Sequence, residues 1–171
     1  MYIQRLSNYL NQAHINYQVL QHSPAYKAKE IAEMTHISGM DFAKTLIINV
    51  DGISMMLVLP GTYRWDPVSF ANMMGAQTVE LVPEEELALL FPNCEVGAMP
   101  PFGNLYGIAV YIARELTLRQ HIMFNAGNHH EVWQMDYYDY HELVAPRVIT
   151  EGYLRKNPSR PVHVHHGGFS H

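Results

Sequence analysis

A single cysteine, Cys94, stands among 171 residues, so no intramolecular disulfide can form and a reducing compartment is the natural home. No run approaches the roughly 20 apolar residues needed to cross a bilayer. The opening Met1-Tyr2-Ile3-Gln4-Arg5-Leu6 is amphipathic and lacks the apolar stretch and cleavage site of a signal peptide. A cytoplasmic protein with no membrane partner is therefore expected. Charge is also sparse: 16% of residues are charged against 48% hydrophobic, which excludes a disordered polyelectrolyte and indicates one domain with a real core.

Positive charge is scarcest of all, with a net charge of -5. From Pro146 onward the chain carries Arg147, Arg155, Lys156 and Arg160 against Glu151 alone, whereas the body before it holds 7 basic and 15 acidic residues. Such a body cannot grip a phosphate backbone over a broad face. Any nucleic-acid contact must be local, at a few lysines, or made by the basic tail, which charge alone reads equally as a solvated end.

What is present is a mixed pattern of helices and strands. Ile3, Leu6, Leu10 and Ala13 recur at helical spacing, and Tyr17–Gln21 reads as a short strand. Ala28–Met34 is predicted as a second helix. Ala43–Val50 and Ile53–Leu59 are β-rich runs joined by Asp51-Gly52, a dipeptide that accepts the positive φ angles of a two-residue hairpin turn. Both runs are apolar on consecutive positions, predicting a hairpin covered on both faces. Asp66-Pro67 opens a helix that stops at Gly75. Thr78–Val82 reads as a strand, and Pro83-Glu84-Glu85-Glu86 begins another helix with acids at its positive end. Gly97 to Tyr106 reads as a loop, Ile108–Ile112, Ile122–Asn125 and Val132–Met135 as strands, and Asp139–Val144 as a closing helix. Without strict βαβ alternation, this predicts a mixed sheet flanked by helices. The domain is expected over residues 1–146, followed by a basic, histidine-rich extension over 147–171 that is only partly ordered.

Three segments could carry chemistry. Lys44 leads the strand Ala43-Lys44-Thr45-Leu46-Ile47-Ile48 and shares a face with Leu46 and Ile48. Its ammonium either snorkels into water or delivers a fixed positive charge into a cleft at the sheet end. Gly97-Ala98-Met99-Pro100-Pro101-Phe102-Gly103 is stiff, and its N–H groups at Gly97, Ala98, Met99, Phe102 and Gly103 can be aimed at an anion or carbonyl oxygen. It could equally be a structural crossover. Phe124-Asn125-Ala126-Gly127-Asn128-His129-His130 reads as a hairpin turn whose histidines are acid–base groups or solvent-facing residues. Cys94 has no motif behind it that would mark a thiol nucleophile. The tail sequence His163-Val164-His165-His166 matches no structural zinc spacing, so no metal site is expected.

Taken in order, these segments resemble the YbaK-type domain family, which includes free-standing aminoacyl-tRNA deacylases and the editing domain inserted in bacterial prolyl-tRNA synthetase. The resemblance runs from about Ile15 to Pro146. It rests on His22-Ser23-Pro24-Ala25-Tyr26 leading into Ala28-Lys29-Glu30-Ile31-Ala32, on Ala43-Lys44-Thr45-Leu46, on Gly97-Ala98-Met99-Pro100-Pro101-Phe102-Gly103, and on Phe124-Asn125-Ala126-Gly127. It implies a compact mixed α/β fold, a mixed sheet or pseudo-barrel flanked by helices. It implies that Lys44 is the functional lysine, that Gly97, Ala98, Met99, Pro100 and Pro101 cradle the substrate, and that Gly127 with His129 lines the pocket opposite. No metal or organic cofactor is implied. The partners would be the aminoacyl-tRNA acceptor end and, for a trans-editing protein, a tRNA synthetase. The sequence departs from the family at Lys27, where threonine is usual and a lysine would add phosphate affinity. It departs again at Ala113-Arg114, where an aspartate often follows the strand.

The reaction so implied is hydrolysis of the ester between an amino acid and the terminal ribose of tRNA, with a water nucleophile. Rival readings are a non-catalytic RNA- or protein-binding adaptor and a hydrolase of small aminoacyl esters. A small substrate such as alanine, serine or cysteine is expected by family analogy.

Overall fold

The computed structural model describes residues 2–21 and 40–156. The helix expected over Ala28–Met34, the segment His22–Tyr26, Lys27 and the tail histidines lie outside the described residues. The chain opens with helix α1 (Tyr2–Gln12) and strand β1 (Tyr17–Gln21). The central hairpin follows as β2 (Ala43–Val50) and β3 (Ile53–Pro60), paired from Ala43 opposite Pro60 to Val50 opposite Ile53. Its turn is built as the dipeptide requires, with φ of 48° at Asp51 and 88° at Gly52. The Asp51 carboxylate also accepts from the N–H groups of Gln77 and Thr78, tying the turn to the next strand.

After β4 (Tyr63–Trp65) comes α2 (Pro67–Met74), bounded as its residues dictate. Asp66 accepts from the Ser69 N–H, Pro67 occupies the first turn, and Gly75 closes the end in the left-handed region. The remaining elements are β5 (Val79–Leu81), α3 (Glu84–Leu90), a 3₁₀ turn at Gly103–Tyr106, β6 (Val110–Ala113), α4 (Arg114–Thr117), β7 (His121–Asn125), β8 (Glu131–Asp136), α5 (Tyr137–Val144), β9 (Arg147–Ile149) and β10 (Tyr153–Arg155).

The described strands form three sheets: a five-stranded sheet in the order β5-β2-β3-β6-β9, a three-stranded sheet β1-β8-β7, and the ribbon β10-β4. The large sheet is mixed, antiparallel through β5, β2 and β3 and parallel from β3 to β6 and from β6 to β9. It is covered on both faces, as the unbroken apolar runs of β2 and β3 predict. Ala43, Ile47, Met56, Val58 and Ile112 face a core shared with Phe102, Phe124, Trp133 and Tyr140. Ile48, Leu57, Leu59 and Tyr111 face a second core with Phe70, Ile149 and Tyr153. Among the described residues no sheet closes on itself, so the architecture is mixed α/β with open sheets rather than a pseudo-barrel.

The sheets continue past Pro146, where the extension was expected to begin. β9 pairs with β6 in the central sheet and β10 pairs with β4, so residues 147–155 contribute two strands. Gly152 makes the turn between them fit: at φ 94° its α-carbon lies so close to Phe70 that an added Cβ would come within 2.9 Å of the ring. No helix among the described residues is long and apolar enough to cross a membrane.

Candidate active site

The stiff loop and the histidine-bearing turn are interlocked. The Glu95 N–H donates to the Gly127 carbonyl at 2.8 Å, and the Gly127 N–H returns a bond to the Ala98 carbonyl at 2.7 Å. Both glycines take φ values closed to most side chains, 82° at Gly97 and 101° at Gly127. His129 clamps the loop from above. Its Nε2 donates to the Val96 carbonyl at 2.8 Å while its backbone N–H donates to the Glu95 carboxylate at 3.2 Å. His129 Cε1 lies 3.7 Å from where a Cβ on Gly97 would sit.

The far half of the loop is anchored in the core. Ala98, Met99, Pro100, Pro101 and Phe102 are buried. Fully buried Tyr140 donates its hydroxyl to the Pro101 carbonyl at 2.6 Å. Phe102 makes edge contacts with Phe124 and Tyr140. Of the N–H groups expected to be available, that of Ala98 goes to the Glu95 carbonyl and that of Phe102 to the Pro100 carbonyl. The N–H groups of Gly97 and Met99 carry no hydrogen bond among the described residues. These two donors flank the bonded N–H of Ala98.

Asn125 adds a feature the sequence did not mark. Its carboxamide oxygen, two residues ahead of Gly127, is buried without a hydrogen-bond partner among the described residues. A buried acceptor left unmade costs free energy unless a ligand supplies the donor. The motif Phe124-Asn125-Ala126-Gly127 carried this position in plain view, but its glycine drew the reading.

Lys44 is the remaining candidate. Half-buried at the start of β2, its ammonium donates to the Tyr63 carbonyl. Burial, and secondarily the ammonium of Lys156, lower its pKa to about 8. Lys44 and the loop were expected to converge on one hollow. Lys44 bonds to Tyr63, and the loop bonds to Gly127 and His129. Along β2, Lys44 shares the face of Leu46 and Ile48, while Met99 and Phe102 pack with Ala43 and Ile47 on the other.

Cys94 is no nucleophile in this setting, since burial pushes its thiol up to about 11. Among the described residues no group of three or more His, Cys, Asp or Glu side chains could hold a metal ion.

Residues 22–143 match the aminoacyl-tRNA editing domain. The chain is similar to the proline–tRNA ligases of Bacillus mycoides and Bacillus cytotoxicus, at 32% and 33% identity over 82 residues, which are 47% of this chain and 14% of each ligase. The match thus spans about one-seventh of the length of these relatives. Among solved structures, one provisionally described as a trans-editing enzyme for prolyl-tRNA synthetase superposes with a TM-score of 0.76 at 17% identity, covering 88% of this chain and 96% of the other. That likeness establishes a shared fold, and the domain match over most of the length establishes the lineage. This chain belongs to the aminoacyl-tRNA editing domain family.

Proposed function

We propose that this protein hydrolyses the ester of mischarged aminoacyl-tRNA. The observation that carries the proposal is the interlocked loop and turn within the matched domain, which among the described residues leave the Gly97 and Met99 N–H groups unengaged. A water oxygen bonds to the aminoacyl carbonyl carbon, and the carbonyl oxygen takes up negative charge facing those two donors. As the tetrahedral intermediate collapses, the bond to the ribose oxygen breaks and that oxygen takes a proton derived from the water. The products are the free amino acid and tRNA with its terminal diol restored.

An aminoacyl ester is already activated, so positioning and charge stabilisation can supply the catalysis without a strong protein nucleophile. The substrate's neighbouring ribose hydroxyl would relay the proton, consistent with the absence of a Ser–His or Cys–His pair near the loop among the described residues. The buried Asn125 oxygen is suited to accept from the substrate ammonium, which every aminoacyl ester carries. Lys44 would neutralise a phosphate of the acceptor end. Because that end is a chain of several nucleotides, a cation on the neighbouring sheet face can hold a phosphate while the loop holds the ester.

Selection among amino acids would come from pocket size, where one methylene discriminates only about 10-fold to 200-fold. The test is deacylation of a panel of mischarged tRNAs by the purified protein, beside the matching free amino-acid esters. Cleavage of at least one small-side-chain aminoacyl-tRNA is expected. Binding without cleavage of any would leave an adaptor, and cleavage of free esters alone would leave a small-ester hydrolase.

A further inference from the structure

The ribbon β4–β10 was not anticipated, and beside Lys44 it brings two cations, Arg155 and Lys156, that the proposed chemistry does not use. Arg155 pairs with Tyr63, the residue whose carbonyl takes the Lys44 ammonium. Lys156 follows, held by its N–H to the carbonyl of Thr62 at 2.9 Å. The Lys156 ammonium lies close enough to Lys44 to disfavour its charged form. Arg155 and Lys156 are exposed. Among the described residues no carboxylate pairs with Lys44, Arg155 or Lys156. Of the acids of this region, Asp66 and Glu151 belong to the turns that flank the opposite end of the ribbon, and Glu115 takes the Tyr153 hydroxyl.

Three cations without a carboxylate partner, gathered at the Tyr63 end of the ribbon, are unfavourable in an isolated protein, and a polyanion removes that cost. They are also conspicuous here, because the body as a whole carries an acidic excess. We propose that Lys44, Arg155 and Lys156 form a clamp for the phosphodiester backbone of RNA, taking the acceptor stem behind the ester-bearing end. The choice of RNA as the polyanion rests on the editing function proposed above. The clamp spares the acidic body from facing the duplex, so affinity comes from one corner while the loop handles the ester.

The test uses the full chain at pH 7, with Arg155→Glu, Lys156→Glu and the double variant. Arg64→Glu is the control, because Arg64 pairs with Leu154 in the middle of the ribbon and faces away from Arg155 and Tyr63. Each variant is measured for deacylation of an aminoacyl-tRNA, for cleavage of the matching free amino-acid ester, and for binding of uncharged tRNA across a salt series. For the double variant, KM for aminoacyl-tRNA and Kd for uncharged tRNA should rise about tenfold or more, with kcat and ester cleavage unchanged. The slope of log affinity against log salt should become shallower by roughly 0.7 to 0.9 per cation removed. Arg64→Glu should change little. Unchanged Kd and salt slope in the double variant, or an equal effect from Arg64→Glu, would overturn the clamp. Should the glutamates unfold the ribbon, Arg155→Ala with Lys156→Ala gives the same readout. A wild-type protein that binds tRNA through these residues yet cleaves nothing would sink the editing function and leave the clamp standing.

Discussion

If Lys44 acts as a charged group, deacylation must follow its protonation. With a pKa of about 8, the free protein carries the ammonium in about nine molecules of ten at pH 7 and in about one of ten at pH 9. kcat/KM for a mischarged tRNA should therefore fall roughly ninefold between those values, the charged form prevailing below 8 and vanishing above it. The limb in kcat should lie higher, because a phosphate bound beside Lys44 favours the ammonium, and kcat reports the complex rather than the free protein. Lys44→Arg, whose guanidinium stays charged throughout, should abolish the limb while keeping part of the activity. Lys156→Gln should raise the limb only partly, since burial is the larger cause of the shift and remains. The assay is steady-state deacylation from pH 6 to 9.5, corrected at each pH for spontaneous ester hydrolysis, which climbs with hydroxide. A limb near 8 that persists in Lys44→Arg, or wild-type turnover by a folded Lys44→Ala protein, would remove Lys44 from the mechanism.

Gly97→Ala meets no atom closer than 3.7 Å, so its cost of about 1–2 kcal/mol comes from the left-handed backbone. Thermal melting should show a modest loss, while misdirected N–H groups lower turnover about 100-fold. Tyr140→Phe leaves the Pro101 carbonyl buried without its donor and should cost about 1–3 kcal/mol in urea unfolding, with a fall in kcat as the loop loosens. Cys94, with its thiol pushed up to about 11, should react with iodoacetamide at pH 7.5 far more slowly than a free thiol, and Cys94→Ala should keep full deacylation. The lowered Lys44 pKa also makes the unfolded chain the better proton binder between 8 and 10.5, so stability should rise with pH across that window in urea titrations, and this rise should flatten in Lys44→Met.

The elements legible in the sequence were those whose signals are local. Asp51-Gly52, Asp66-Pro67 and Gly75 each specify a backbone conformation by themselves, and each is found in it. β4, β9 and β10 escaped because three residues apiece are too short to show a period, and they are strands only through their partners. Arg147, Arg155 and Lys156 made the C-terminal region read as a solvated end, whereas Ile149 and Tyr153 bury themselves in the second core between those charges. Gly103–Tyr106 read as loop because a 3₁₀ turn has no amphipathic signature at that length. Loop and turn could be named from their glycines and prolines. Their mutual hydrogen bonds, and the side of β2 on which Lys44 lies relative to them, depend on contacts between distant segments.

Strand β6 lies between two parallel neighbours, with all four of its side chains buried. Its second neighbour is β9, so the middle of the domain waits on residues near the end of the described chain. During synthesis the edge of β6 stays open as a template for foreign strands until Ile149 has cleared the ribosome. A fragment ending at Pro146 would keep that edge bare permanently and should self-associate as its concentration rises.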